Sequence, residues 1–174
     1  MTKEQFKSMI RNVPDFPVKG IQFKDITTVL RDPECLKWMK DELVKLYQGK
    51  GITKVVGMES RGFIMAPVVA TEIGAGFEPI RKPGKLPADT LSVSYQKEYG
   101  TDTIEIHKDA LTQDDVVLIH DDLLATGGTV AAAIELVKKM GVKKIYVNFL
   151  IELDFLHGRQ LIDKDIEVTS LVNF

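Results

Sequence analysis

The stretch Val116–Thr129, VVLIHDDLLATGGT, decides the fold. Val116 to Ile119 form a short, continuous apolar run, which reads as a strand buried on both faces of a parallel sheet. Two carboxylates, Asp121 and Asp122, follow where that strand is expected to end. Ala125-Thr126-Gly127-Gly128-Thr129 comes next, and the apolar period after it predicts a helix over Val130–Met140. A strand, an acidic pair, a small-residue loop and a helix together suit a phosphorylated sugar. Backbone N–H groups of the loop and the helix N-terminus attract a phosphate. Gly127 and Gly128 admit close approach of the main chain, and Thr126 and Thr129 add hydroxyl donors. Asp121 and Asp122 can accept from two neighbouring hydroxyls, as on a ribose. The plainer reading is a Gly-Gly turn beside solvated acids; the strand–loop–helix order favours the phosphate site. No G-x-x-x-x-G-K-[ST] and no G-x-G-x-x-G occurs, so the block is neither a Walker A loop nor a dinucleotide fingerprint.

Outward from this block, the chain alternates helix and strand. Thr2 with Gln5 forms a capping-box pattern for a first helix ending near Arg11. Asp32 and Pro33 start a second, with Leu36, Met39, Leu43 and Leu46 expected on one face. Lys54–Met58 reads as a buried strand, Gly62–Ile73 as a helix turning Ala66, Val69 and Ile73 inward, and Phe77–Arg81 as the next strand. Leu91–Tyr95 and Thr103–His107 alternate in period two, which predicts a hairpin arm. Asp115–Ile119 is the signature strand. Gly141 is expected to close the helix that follows the loop. Lys144–Ile151 is a further strand and Glu167–Val172 a last short one. Strands separated by helices of this length imply βαβ units and a parallel sheet, whose ligands bind beyond the carboxyl ends of its strands. The segments 59–61, 81–85 and 121–129 all follow expected strands and should converge on one edge. His120 takes the strand's last position beside Asp121, and the alternation of strand side chains turns it away from the site.

Composition bounds the function. The 174 residues fit a single domain, 1–174, with a sizeable core. A net charge of −2 gives no bulk attraction to nucleic acid or an acidic membrane surface. The lone cysteine, Cys35, excludes an intrachain disulfide and fits a reducing, cytoplasmic setting. One cysteine and three scattered histidines give no zinc spacing. Met1–Arg11 lacks the apolar core of a signal peptide, and no apolar run is long enough to span a membrane.

The block 116–129 resembles the 5-phosphoribosyl 1-pyrophosphate (PRPP) signature of type I phosphoribosyltransferases. Further segments narrow the likeness to the adenine phosphoribosyltransferases: PDFPVKGIQFKDIT at Pro14–Thr27, ESRGF at Glu59–Phe63, RKPGKLP at Arg81–Pro87, EYG at Glu98–Gly100, and IELDFLHGR at Ile151–Arg159. The likeness runs over about residues 5–174. It implies an α/β fold: a central, mostly parallel sheet flanked by helices, a hairpin lid, and a small N- and C-terminal hood over the base site. It implies transfer of the phosphoribosyl group from PRPP to adenine, giving AMP and pyrophosphate, with Mg²⁺ carried mainly by PRPP or pyrophosphate and no metal ligands of the protein's own. A homodimer is expected by resemblance alone.

Site residues carry over position by position. Ala125, Thr126, Gly127, Gly128 and Thr129 would hold the 5′-phosphate. Ser60, Arg61, Arg81, Lys82, Lys85 and Tyr99 would bind pyrophosphate, where an arginine fork can grip two oxygens at once. Gln22, Phe23, Lys24 and Leu153 would enclose the base, Phe23 stacking on it and Leu153 covering its other face. Lys24 stands where some relatives have arginine, so it contacts the base or pairs with Asp25. Glu98 would carry the proton at the base, in a lid formed by QKEYGTD. Arg61, Asp121 and Asp122 complete the catalytic set. The same residues admit rival readings: another purine base as acceptor, a non-catalytic PRPP-sensing regulator, or an unrelated phosphosugar-binding protein. The resemblance also implies a cis or strained Glu59–Ser60 peptide when ligand is bound.

Overall fold

A computed structural model describes residues 1–96 and 100–174. Its centre is a five-stranded parallel sheet of β3 (Lys54–Met58), β4 (Gly76–Ile80), β7 (Val116–Leu124), β8 (Lys144–Glu152) and β9 (Glu167–Asn173), in the spatial order β4-β3-β7-β8-β9. Renumbered within the sheet, this is the order 2-1-3-4-5. Chain direction across the sheet reverses between β3 and β7, which opens a crevice beyond their carboxyl ends.

Helices cover both faces, as a buried parallel sheet requires. On one face Val55, Leu118, Tyr146 and Leu150 pack with α3 (Pro33–Tyr47) and α4 (Glu59–Ile73). On the other, Val56, Val117, Ile119, Val147 and Phe149 pack with α5 (Gly128–Lys139) and the arm formed by β5 (Thr90–Gln96) and β6 (Thr101–His107). The expected arm pairs antiparallel from Thr90↔His107 to Gln96↔Thr101, and an Arg81↔Glu105 bridge fastens it to the sheet edge.

The capping box forms as expected at α1 (Lys3–Met9): the Gln5 N–H donates to Thr2 Oγ1 at 3.2 Å, and the Thr2 N–H donates to Gln5 Oε1 at 2.7 Å. Asp32 caps α3 by accepting from the Cys35 N–H at 2.9 Å. The buried face of α3 is Cys35, Met39, Leu43 and Tyr47; Leu36 points outward and Leu46 is only partly covered. Ile73 is likewise only half-buried on α4, whose inward residues are Met65, Ala66, Val69 and Ala70.

Three elements differ from their sequence reading. The segment 11–25 holds a short antiparallel hairpin, β1 (Arg11–Pro14) with β2 (Gln22–Asp25), followed by α2 (Thr27–Leu30). Its four-residue strands and intervening Pro14–Gly20 turn residues are too short for a period to show. The helix α4 starts at Glu59 and so takes the ESR segment into its first turn. Most consequential, β7 does not stop at Ile119: it pairs with β8 through Leu124↔Glu152, so both aspartates lie inside the strand. Aspartate disfavours a strand interior by propensity, but β8 pairs on both sides of Asp122, with Asp121↔Phe149 and Leu123↔Ile151, and holds the strand beyond the acidic pair.

Candidate active site

The crevice between β3 and β7 gathers most of the residues singled out above. Because β7 continues through the acidic pair, its side chains alternate. Asp121 lines a cavity of about 190 Å³ together with Arg61 and the loop residues Ala125, Thr126, Gly127, Gly128 and Thr129. Asp122 is buried behind this lining, at 3% exposure, and receives the Arg61 guanidinium: Nε lies 2.8 Å from Asp122 Oδ2. The Arg61 guanidinium also sits 5.4 Å from the centre of the Phe23 ring. Burial, then the neighbouring Asp122 charge, raises the Asp121 carboxyl well above its ordinary pKa. Burial likewise raises Asp122, with Arg61 opposing it. Two adjacent carboxyls are therefore held where negative charge is costly and a nearby cation is welcome.

A larger cavity of about 700 Å³ adjoins the same loop. Its walls include Gln22, Phe23 and Lys24 from β2, Leu153 after β8, and Ala125, Thr126, Gly128 and Thr129. The expected base residues and phosphate residues thus border one space. Of the two alternatives for Lys24, the ion pair with Asp25 does not form: its ammonium donates to Asn12 Oδ1 at 3.1 Å and lies 4.1 Å over the Phe174 ring, while the residue stays on the cavity wall. Asp25 is claimed by Arg11 instead, at 2.9 Å from Nε.

The loop itself is held by close backbone contact. Gly127 has φ +88°, and a Cβ there would overlap the Gly158 carbonyl; a Cβ on Gly158 would in turn overlap the Ala125 carbonyl. Only glycine fits at either place. From the arm, the Tyr95 hydroxyl meets Thr129 Oγ1 at 3.0 Å.

The basic segment lies elsewhere. Arg81, Lys82 and Lys85 border neither cavity, and Ser60 does not either. They are organised by acids. Glu59 accepts from the Lys82 N–H at 2.6 Å and from Arg81 Nε at 3.3 Å, with Lys85 Nζ 3.9 Å away. Lys82 Nζ donates to Asp102 on the arm at 2.7 Å. Burial pushes the Glu59 carboxyl up, but these donors hold it below its ordinary value. Its backbone is left-handed, φ +50°, while the Glu59–Ser60 peptide is trans; the cis peptide among the described residues is Phe16–Pro17. Glu98 and Tyr99 lie outside the described residues.

His120 is a core residue. It is 1% exposed, and its Nδ1 is 2.9 Å from Asn148 Oδ1 on β8. Burial pushes its pKa down to about 4, so it is neutral at pH 7.

Several lining residues escaped the sequence reading: Tyr95, Gln96, Leu123, Leu156 and Leu161. Leu123 follows the acidic pair and carries its own signal, since alternation from Asp121 puts it on the same face. Leu156 and Leu161 sit in two 3₁₀ turns, Asp154–Leu156 and Gly158–Leu161, and have no periodic signal. Glu59 was legible as the start of the Glu59-Ser60-Arg61 segment, but not as the acid that gathers Arg81, Lys82 and Lys85.

Comparison with known proteins agrees with this geometry. Residues 25–173 match the phosphoribosyl transferase domain family. A relative from Bacteroides thetaiotaomicron, an adenine phosphoribosyltransferase, is 59% identical, covering 99% of this chain and 98% of its own. The crystal structure of adenine phosphoribosyltransferase from Rhodothermus marinus superposes with a TM-score of 0.94 at 52% identity, over 99% of this chain and 98% of that one. The Giardia lamblia enzyme complexed with 9-deazaadenine gives 0.95 at 44% identity, over 100% and 98%. With its sheet order, its loop after β7 and these full-length likenesses, the chain belongs to the adenine phosphoribosyltransferases of the phosphoribosyl transferase family.

Proposed function

We infer that this enzyme transfers the 5-phosphoribosyl group of PRPP to adenine, releasing pyrophosphate and forming AMP. The observation that carries this reading is the single cavity of about 700 Å³ bordered both by Phe23 and Leu153 and by the loop after β7. A base held between the first pair and a 5′-phosphate held on the second leave the anomeric carbon near Asp121. Thr126, Gly127, Gly128 and Thr129, with Ala125, offer N–H and hydroxyl donors to the phosphate. Asp121 accepts from a ribose hydroxyl. Asp122 orients Arg61 and adds negative charge beneath the carbon as it becomes cationic, the electrostatic part of the catalysis. Arg61 receives the leaving pyrophosphate.

Ser60, Arg81, Lys82, Lys85 and Tyr99 are proposed as further pyrophosphate contacts by kinship with the family. Glu98 is proposed as the proton carrier at the base. Magnesium fits the donor set: a hard carboxylate oxygen, Asp121, borders the phosphate cavity, and Mg²⁺ is ordinarily held by one or two carboxylates plus substrate phosphates. Bound with PRPP, it would neutralise charge on the departing pyrophosphate. The chain acts as one domain, 1–174, and as a cytoplasmic homodimer, by kinship with its family.

The test is pyrophosphate release from PRPP with adenine, set against hypoxanthine, guanine and xanthine. Adenine should be used with the highest kcat/KM by far. A preferred oxopurine would overturn the base assignment, and tight PRPP binding without turnover on any base would make the protein a sensor.

A further inference from the structure

We propose that Arg159 is a positioning residue for the phosphate loop, acting through the Gly158 backbone. Beyond the lining residues, the segment 152–161 contains a cluster that touches neither cavity. Glu152, at 5% exposure on the last position of β8, is gripped by Arg159 through both guanidinium arms, Nε to Oε1 at 2.5 Å and Nη2 to Oε2 at 2.7 Å. Arg159 Nη1 donates to the Val168 carbonyl at 2.8 Å, and Ser170 Oγ donates to Glu152 Oε2 at 2.6 Å. One guanidinium thus fastens the turn Gly158–Leu161 to both β8 and β9. A fork that fills two carboxylate oxygens and a carbonyl fixes direction as well as distance, which an ammonium cannot do.

The residue before Arg159 is the one that bears on the loop. Gly158 and the backbone of Ala125 and Gly127 touch without room for a Cβ on either side. In addition, the Leu153 N–H donates to the carbonyl of Leu124, the last residue before the loop, at 2.9 Å. The clamp therefore presses one segment onto the loop while that segment also presents Leu153, Leu156 and Leu161 to the larger cavity. Loop and apolar wall are set by one anchor.

The inference rests on the reading of 125–129 as the 5′-phosphate cradle, so the experiment separates the two. Dissociation constants for AMP and for inorganic pyrophosphate are measured by calorimetry on the full chain and on Arg159→Ala, Arg159→Lys, Ser170→Ala and Gly128→Val, with circular dichroism to establish folding. Displacing a cradle by a fraction of an ångström to 1 Å should weaken AMP about ten- to hundredfold in Arg159→Ala. Pyrophosphate binding, which does not need the loop, should stay within about twofold of the parent. Arg159→Lys should recover only part of the loss, and Ser170→Ala should show a smaller loss of the same kind. If Arg159→Ala does not fold, the lysine and Ser170 variants decide. A folded Arg159 variant that loses thermal stability but keeps parental AMP affinity overturns the proposal, as does equal weakening of AMP and pyrophosphate. If Gly128→Val leaves AMP binding intact, the cradle assignment fails and the inference with it.

Discussion

Phe23 shows how one side chain can serve two neighbours. It lies on β2 opposite Val13, meets Phe16 edge-on with ring centres 5.1 Å apart, and has the Arg61 guanidinium near its face. An aromatic in an apolar segment is usually core, yet Phe23 is only half-buried and borders the larger cavity. Stacking of a base on an aromatic is worth about 1–3 kcal/mol. Phe23→Ala should therefore raise the adenine KM about tenfold while moving the PRPP KM much less. Steady-state kinetics with each substrate varied in turn checks this, and an unchanged adenine KM would return Phe23 to a packing role. Residue types at the site were legible in sequence because strand ends in such sheets are where loops carry chemistry. Their partners were not. That Arg61 pairs with Asp122, or that Glu59 gathers Arg81 and Lys85, depends on segments twenty or more positions apart meeting at one edge.

Among the elements, β7 carries most of what was misread. Its apolar start was plain, but the acidic pair looked like an ending; pairing with β8 overrode local preference. The same strand buries His120. Asn148 Nδ2 donates to Thr169 Oγ1 at 2.8 Å, so Asn148 Oδ1 faces the imidazole and accepts from Nδ1–H. The other ring nitrogen, Nε2, has no hydrogen-bond partner among the described residues. Protonating it would place a charge in the sheet interior. The folded pKa is about 4 against an ordinary 6.5. Between these values the unfolded chain takes up a proton that the folded chain refuses, so stability falls as pH falls from 6.5 towards 4. The loss is at most about 3 kcal/mol. Urea midpoints at about pH 7 and about pH 5 should differ in the parent and differ less in His120→Leu. An equal difference in both would assign the acid sensitivity to other groups. By contrast, α1 and α3 start at their expected caps, Thr2 and Asp32, because helix termini are specified by residues within one turn of each other.

Across the whole molecule, the sheet order 2-1-3-4-5 explains why segments from four parts of the chain share one crevice. The alternation of strands and helices foretold a parallel sheet and its active edge, but not the hairpin β1–β2, which brings Phe23 over that edge from a turn-rich stretch. Charge is distributed with the same economy. The chain is nearly neutral overall, and every cation proposed for pyrophosphate that borders or flanks the site already has a carboxylate: Arg61 has Asp122, Arg81 and Lys85 share Glu59, and Lys82 has Asp102. An anionic ligand that reaches these cations would then compete with fixed internal carboxylates rather than with dissolved chloride. Added salt screens a bare ammonium strongly and a paired one weakly. Pyrophosphate affinity should therefore vary little with ionic strength, and Asp102→Asn should steepen that dependence while tightening binding in dilute buffer. A calorimetric salt series that gives parent and variant the same slope would mean Lys82 never meets the ligand. A protein wired this way would keep its grip on a highly charged metabolite across the ionic fluctuations of its surroundings, because the charges its ligand competes with are built into the chain.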